Sequence, residues 1–312
     1  MLPIIFILGP TATGKTDAAF NLARKIDAEI VSCDSMLVYK EPRIITTKPS
    51  CVYLDKIPHH FVDIISVEEN YNVFTYFRDA VKLINELYSR GTPVIVCGGT
   101  GMYAQAILDG IFEGASRDDT LRAEFENEAR VKGNIHIHAK LKSVDPVSAC
   151  KISPNDAKRI IRALEVYALT GIPISQKQKE KEGIWGKLPV SVIGLSLERE
   201  ALYERINRRV DMMVEQGAVD EVKELLTYRL SRTAEKIIGI KEIGEYLDNK
   251  CTLDEAKETM KKNTRNFAKR QMTWFKAESR LQWVDADGKS REQVIEDILS
   301  LVEAELGGKS RE

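Results

Sequence analysis

Short apolar runs separated by long stretches with a helical repeat set the plan of this chain. The runs lie at 3–8, 29–33 (EIVSC), 93–97 (PVIVC), 190–196 (VSVIGLS) and 281–284 (LQWV). Apolar runs of strand length alternating with helical patterns predict an α/β fold, a P-loop NTPase-like parallel sheet flanked by helices. Between 113 and 189 the strand pattern stops, which predicts a mainly helical insertion subdomain in a core made of 1–112 and 190–312. Helices are expected there at 120–132 and 155–170. The second opens on the capping residues Asn155 and Asp156 and gathers Ala157, Ile160, Ile161 and Leu164 on one face, leaving Lys158, Arg159 and Arg162 elsewhere.

A third helix is expected at 257–276. At about 100° per residue, Lys261, Arg265, Lys269 and Lys276 fall on one stripe, with Met260, Phe267, Gln271 and Trp274 opposite. The run 261–276, KKNTRNFAKRQMTWFK, holds six Lys or Arg and no Asp or Glu. A solubilising face tends to mix signs, so a wholly basic one suits RNA backbone.

The first apolar run leads directly into Gly9-Pro10-Thr11-Ala12-Thr13-Gly14-Lys15-Thr16, and the residues after it, DAAFNLARKID, are amphipathic with a helical period. Strand, glycine-spaced loop, Lys-Thr and helix in that order form a phosphate-binding loop. Its backbone N–H groups can curl around phosphate oxygens at a helix N-terminus, Lys15 adds a charge, and the Thr16 hydroxyl can ligate magnesium. Ligands sit beyond the carboxyl ends of parallel strands. Asp34 and Ser35 after the second run, and Gly98, Gly99, Thr100 and Gly101 after the third, are therefore expected to share one cleft with the loop.

Composition narrows the partners. The chain has 312 residues, 43% hydrophobic and 30% charged, and a formal net charge of −1, so any nucleic acid must meet a local basic patch. No apolar run approaches the roughly 20 residues needed to span a bilayer, and residues 3–8 lead into the phosphate loop without a basic n-region or cleavage site. A cytoplasmic enzyme with no membrane partner is expected. The five cysteines, at 33, 51, 97, 150 and 251, lack the spacing of a disulfide framework or a zinc site and are expected mostly in the core. The adjacent His59 and His60 have no third ligand nearby and are taken as structural.

Nucleotide-hydrolysing phosphate-loop enzymes usually hold magnesium with an acid at the end of a core strand. Here PVIVC ends in Gly98-Gly99-Thr100, and the acid is Asp34 after the second run, placed either to cap the next turn or to meet a substrate. The loop can hold a diphosphate that is not part of ATP. A small-molecule kinase and an RNA-binding nucleotide switch remain the rival readings at this point.

The segments GPTATGKT, DSMLVYK, TTKPS, PHH, GGTGMY, DPVSACKISPNDAKRIIRALEVYALTG, RINRRVDMM, IGIKEI and NTRNFAKRQMTWFK, in that order, resemble bacterial tRNA dimethylallyltransferases, also called tRNA isopentenyltransferases, over nearly the whole chain. The resemblance implies transfer of a dimethylallyl group from dimethylallyl diphosphate to N6 of the adenosine 3′ to the anticodon, in tRNAs reading codons that begin with U. It implies a diphosphate cradle at Gly9 to Thr16, with Thr16 on Mg2+, a catalytic carboxylate at Asp34, Thr100 beside the reacting groups and a diphosphate-binding Arg209. It further implies tRNA contacts at Asp34, Ser35, Met36 and Leu37, at Arg122, and at Arg159, Ile160, Ile161, Arg162 and Ala163. The basic stripe adds Lys261, Arg265 and Lys269, and a monomer working on the anticodon stem-loop is expected. The chain departs from the family in one loop: where R-G-M-D-I-G-T-A-K-P is common, it reads KEPRIITTKP, placing Glu41, Arg43 and Ile45 in the positions of two glycines and an aspartate. Leu37 also stands where many members have glutamine.

Overall fold

The computed structural model describes residues 2–112 and 118–308. Each of the five apolar runs becomes a strand: β1 (Ile4–Leu8), β2 (Glu29–Ser32), β4 (Val94–Gly98), β5 (Val190–Ser196) and β6 (Gln282–Asp285). The pattern missed β3 (His59–His60), which pairs only through Ile30↔His59 and Val31↔His60 and is too short to show a period. His60 Nε2 lies 2.6 Å from Glu29 Oε2, so this histidine belongs to the strand edge.

The six strands are all parallel, in the order β3-β2-β4-β1-β5-β6. Ile4, Phe6 and Leu8 of the central β1 enter one core with Tyr103, Ile107 and Phe275. Ile5 and Ile7 enter the opposite core with Phe20, Leu22 and Ile298. A strand covered on both faces shows a continuous apolar run, which is why β1 was legible. The covering helices place the loops after β2, β4 and β1 side by side, because those strands are neighbours in the sheet.

The chain forms two compact units, Met1–Leu108 with Ile184–Glu312, and Asp109–Gly183. The first contains the sheet. The sequence-based start of the insertion, 113, lies outside the described residues, and its expected end, 189, falls later than the structural boundary. The return segment belongs with the sheet because the N–H groups of Ile184 and Trp185 donate to Ile107 O and Leu108 O, both at 3.0 Å.

The second unit is helical. Asp119–Lys132, Asn134–Val144, Pro146–Lys151 and Ala157–Thr170 surround Phe125, Ile137, Leu141, Ile160, Leu164 and Val166. Asp156, not Asn155, caps the last of these by accepting from the Arg159 N–H. Contrary to the expectation for the cysteines, only Cys33 is buried, while Cys51 and Cys150 are exposed. Among the described residues, no helix is long and apolar enough to cross a membrane.

Candidate functional site

The convergence expected from strand order is realised by short contacts. Cys33 N–H donates to Cys97 O at 2.7 Å, and Thr100 N–H donates to Cys33 O at 3.1 Å, locking the chain after β2 against the chain after β4. Gly98 makes this approach possible: a Cβ there would sit 2.0 Å from Cys33 O.

The phosphate loop curls through left-handed conformations at Ala12 (φ 66) and Gly14 (φ 91) and runs into the helix Lys15–Ile26. None of the N–H groups from Ala12 to Thr16 has an acceptor among the described residues. They form a nest of donors at a helix N-terminus, the arrangement that binds phosphate. Lys15 is only 9% exposed, and its Nζ rests on Pro10 O at 2.5 Å. Burial pushes its pKa from 10.5 down to about 8, against the opposing pull of Cys97 and Asp34.

Arg209 comes from the helix Arg199–Glu215 and donates from Nη1 to Thr11 Oγ1 at 3.1 Å. Burial lowers its pKa to about 10, with Asp34 opposing, and no carboxylate reaches ion-pair distance among the described residues. Two desolvated cations without paired anions, beside free N–H donors, make a site for a ligand with several negative charges.

Asp34 is half-buried at the end of β2. Its Oδ1 accepts the Met36 N–H at 2.9 Å, so the capping role open on sequence grounds is real. Oδ2 has no hydrogen-bond partner among the described residues. Thr100 Oγ1 accepts the Ser35 N–H at 3.1 Å and lies 3.4 Å from Ser35 Oγ, holding the residue next to Asp34. The phosphate loop, Asp34, Thr100 and Arg209, expected together, are together.

The basic helix needs correction. It spans Leu253–Lys276, opened by a reciprocal Thr252–Glu255 cap. Lys261, expected on the RNA-facing stripe, reaches across to Asp211 Oδ1 at 3.0 Å and to Glu258 at 2.9 Å, with 12% of its side chain exposed. Arg265 donates to Asn207 Oδ1 at 2.5 Å. Asp211 and Asn207 lie on the helix Arg199–Glu215, which the wheel could not see. Phe267, placed on the packing side, is 37% exposed. Lys269 and Lys276 of the expected stripe are exposed, and Lys262 and Arg270 join them on the outward basic face; Asn266, Lys269, Arg270 and Thr273 line an open groove of about 370 Å³. Gln271 was assigned only to packing, yet its amide bonds to both the phosphate loop and the turn after β4. A glutamine on an otherwise apolar helix face was the available signal.

In the helical unit, Ile160, Ile161 and Ala163 are 0%, 5% and 1% exposed, so their side chains form its core. Arg122 and Arg162 both turn to the fully buried Glu165, at 2.8 and 2.9 Å. Lys158 and Arg159 are the exposed cations of that helix.

The divergent loop after Tyr39 is well held. Neither Glu41 nor Ile45 has a positive φ, so neither position needs glycine. Glu221 accepts the N–H groups of Arg43, Ile44 and Ile45 at 2.6, 2.7 and 2.9 Å, and Glu41 accepts that of Val67 at 2.9 Å. Lys48 pairs with Asp63, which also faces Arg43.

Residues 37–278 match the family model described as IPP transferase. The chain belongs to the IPP transferase family. A curated member from Geobacter sulfurreducens, named tRNA dimethylallyltransferase, is 42% identical over 90% of this chain and 91% of its own length. A family structure of the full-length tRNA isopentenylpyrophosphate transferase from Bacillus halodurans covers 100% of the chain and 99% of its own at a TM-score of 0.74 and 37% identity. A eukaryotic dimethylallyltransferase described as acting on tRNA superposes with a TM-score of 0.80 at 29% identity, covering 96% of this chain and 80% of its own. This family member supports the parallel-sheet core with helical insertion as the shared architecture.

Proposed function

We propose that this chain is a tRNA dimethylallyltransferase, moving the dimethylallyl group of dimethylallyl diphosphate to N6 of the adenosine 3′-adjacent to the anticodon, in tRNAs reading codons that begin with U. The products are N6-isopentenyladenosine in the tRNA and diphosphate. The observation that carries the chemistry is the pairing of an anion cradle holding two unpaired buried cations, Lys15 and Arg209, with a carboxylate oxygen of Asp34 left free.

The adenine N6 lone pair is delocalised into the ring and attacks poorly, whereas an allylic diphosphate is primed to lose its leaving group. N6 attacks the C1 carbon of the allyl chain, the C1–O bond breaks, and its electron pair leaves on the diphosphate oxygen. Asp34 Oδ2 accepts the N6 proton as the C–N bond forms. Lys15, Arg209 and the loop N–H groups meet the charge growing on the diphosphate. Thr100 keeps Ser35, and with it Asp34, in register.

The site fits magnesium. The Thr16 hydroxyl is exposed at the mouth of the cradle without a protein partner, and among the described residues no group of acidic, His or Cys side chains is arranged to hold a metal alone. Such a donor set suits an ion held mainly by substrate phosphate and water. Bound there, magnesium would supply further neutralisation of the leaving diphosphate.

For RNA, Lys262, Lys269 and Arg270 on the sheet-bearing unit, and Lys158 and Arg159 on the helical unit, offer outward cations to the anticodon arm. The test is incubation with labelled dimethylallyl diphosphate and unmodified tRNA, with ATP in a parallel tube. Label entering tRNA only from the allyl donor supports the reading. ATP turnover without allyl transfer would replace it with a kinase.

A further inference from the structure

We infer that Gln271 is a positioning residue for this transfer, its side-chain amide setting the spacing between the phosphate loop and the turn that carries Thr100. Gln271 is 7% exposed on the helix Leu253–Lys276. Its Oε1 accepts the Thr11 N–H at 2.9 Å, and its Nε2 donates to Gly99 O at 2.8 Å. The partners dictate that orientation, because an N–H needs the oxygen and a carbonyl needs the nitrogen.

One amide thereby joins the two halves of the reaction site. Thr11 is held from both directions, through its N–H by Gln271 and through its hydroxyl by Arg209. On the other side Gly99 precedes Thr100, whose hydroxyl holds Ser35 beside Asp34. There is little slack: a Cβ on Gly99 would lie 2.3 Å from Nε2, and one on Gly101 would lie 2.3 Å from the Trp274 ring of the same helix. The Thr11 N–H is committed to Gln271, leaving the diphosphate to the donors from Ala12 onward. Gln271 therefore governs how the bound donor faces Asp34 more than how tightly it binds. A misplacement of about 1 Å at a reacting centre can cost on the order of 10²-fold in rate.

This inference rests on the allyl-transfer reading. Its test is steady-state and single-turnover transfer by the full chain carrying Gln271→Met, which fills the volume but makes neither bond, and Gln271→Glu, which keeps the acceptor and turns a carboxylate oxygen toward Gly99 O. Each is measured below its own melting temperature, with pyrophosphate inhibition and tRNA affinity alongside. The expected result is a kcat reduced by roughly 10- to 100-fold in both, with donor KM, pyrophosphate inhibition and tRNA affinity within about threefold of wild type. An unchanged kcat in either folded variant overturns the assignment, as does a loss confined to KM and pyrophosphate binding that saturating donor restores. Wild-type protein that fails to transfer the allyl group would instead remove the underlying reading.

Discussion

Replacing Lys15 with methionine should make the ligand-free protein more stable while abolishing its grip on diphosphate. The fall in the Lys15 pKa from 10.5 to about 8 on folding corresponds to about 3 kcal/mol spent on keeping a buried ammonium charged. Its sign follows from linkage. A lysine whose pKa drops on folding destabilises the native state fully below the folded value near 8, and the penalty fades as pH rises toward 10.5. Methionine fills a similar volume without the charge. Losing the bond from Nζ to Pro10 O takes back about 1 kcal/mol, leaving a net gain of about 2 kcal/mol at pH 7. For a chain of this size that is a rise of roughly 3 °C in melting temperature. Thermal melts at pH 7 and pH 9.5, with and without pyrophosphate, read all of this at once. The Lys15→Met gain should shrink at the higher pH, and pyrophosphate should raise the melting temperature of wild type far more than that of the variant. A variant that melts at or below wild type at pH 7, or that gains as much from pyrophosphate, would refute the idea of a strained cation held for an anionic ligand.

Three further outcomes are expected. Asp34→Asn retains an acceptor for the Met36 N–H, so fold and tRNA affinity should persist while turnover falls by on the order of 10²-fold or more; near-normal transfer of labelled donor would remove Asp34 as the base. Arg209→Ala should weaken pyrophosphate inhibition and leave tRNA binding intact, and the reverse pattern in filter binding would assign the residue to the RNA surface. Replacing Lys262, Lys269 and Arg270 by alanine should lower tRNA affinity and flatten its salt dependence by about one unit of slope per lost phosphate contact. Substituting Lys261 and Arg265, already paired to Asp211 and Asn207, should lower the melting temperature more than it changes that slope, and equal effects of the two sets on the slope would contradict the outward face assigned here.

What the sequence showed of this site depended on how locally each piece is determined. The phosphate loop was legible because strand, glycines and helix are contiguous, and Asp34 because it follows the buried run of β2, which lies beyond β4 from β1. Arg209 was different. Beside Arg208 and Asp211 it has the look of a solvated helix arginine, and only the family resemblance singled it out; its burial against Thr11 arises from packing between distant segments. The basic stripe was half legible for the same reason. A helical wheel knows the angle of Lys261 but not that Asp211 on another helix lies 3.0 Å away. Strand β3 escaped because two residues carry no period.

The residues hidden from the sequence share an origin. The candidate site sits on loops that follow β1, β2 and β4, and those loops are fixed from behind by helices that come after β5. Arg209 meets Thr11, Gln271 spans Thr11 and Gly99, and Glu221 takes three N–H groups of the loop after Tyr39. That last contact explains how KEPRIITTKP tolerates replacement of two glycines: its path is set by a carboxylate brought in from the helix Ala218–Leu225, and it asks nothing of residues 41 and 45 that only glycine supplies. Motif residues thus supply the groups proposed to react, while the distances between them are set by side chains brought in from distant segments. Substitutions in those late helices should accordingly act on turnover at positions that touch neither the allyl chain nor the adenine.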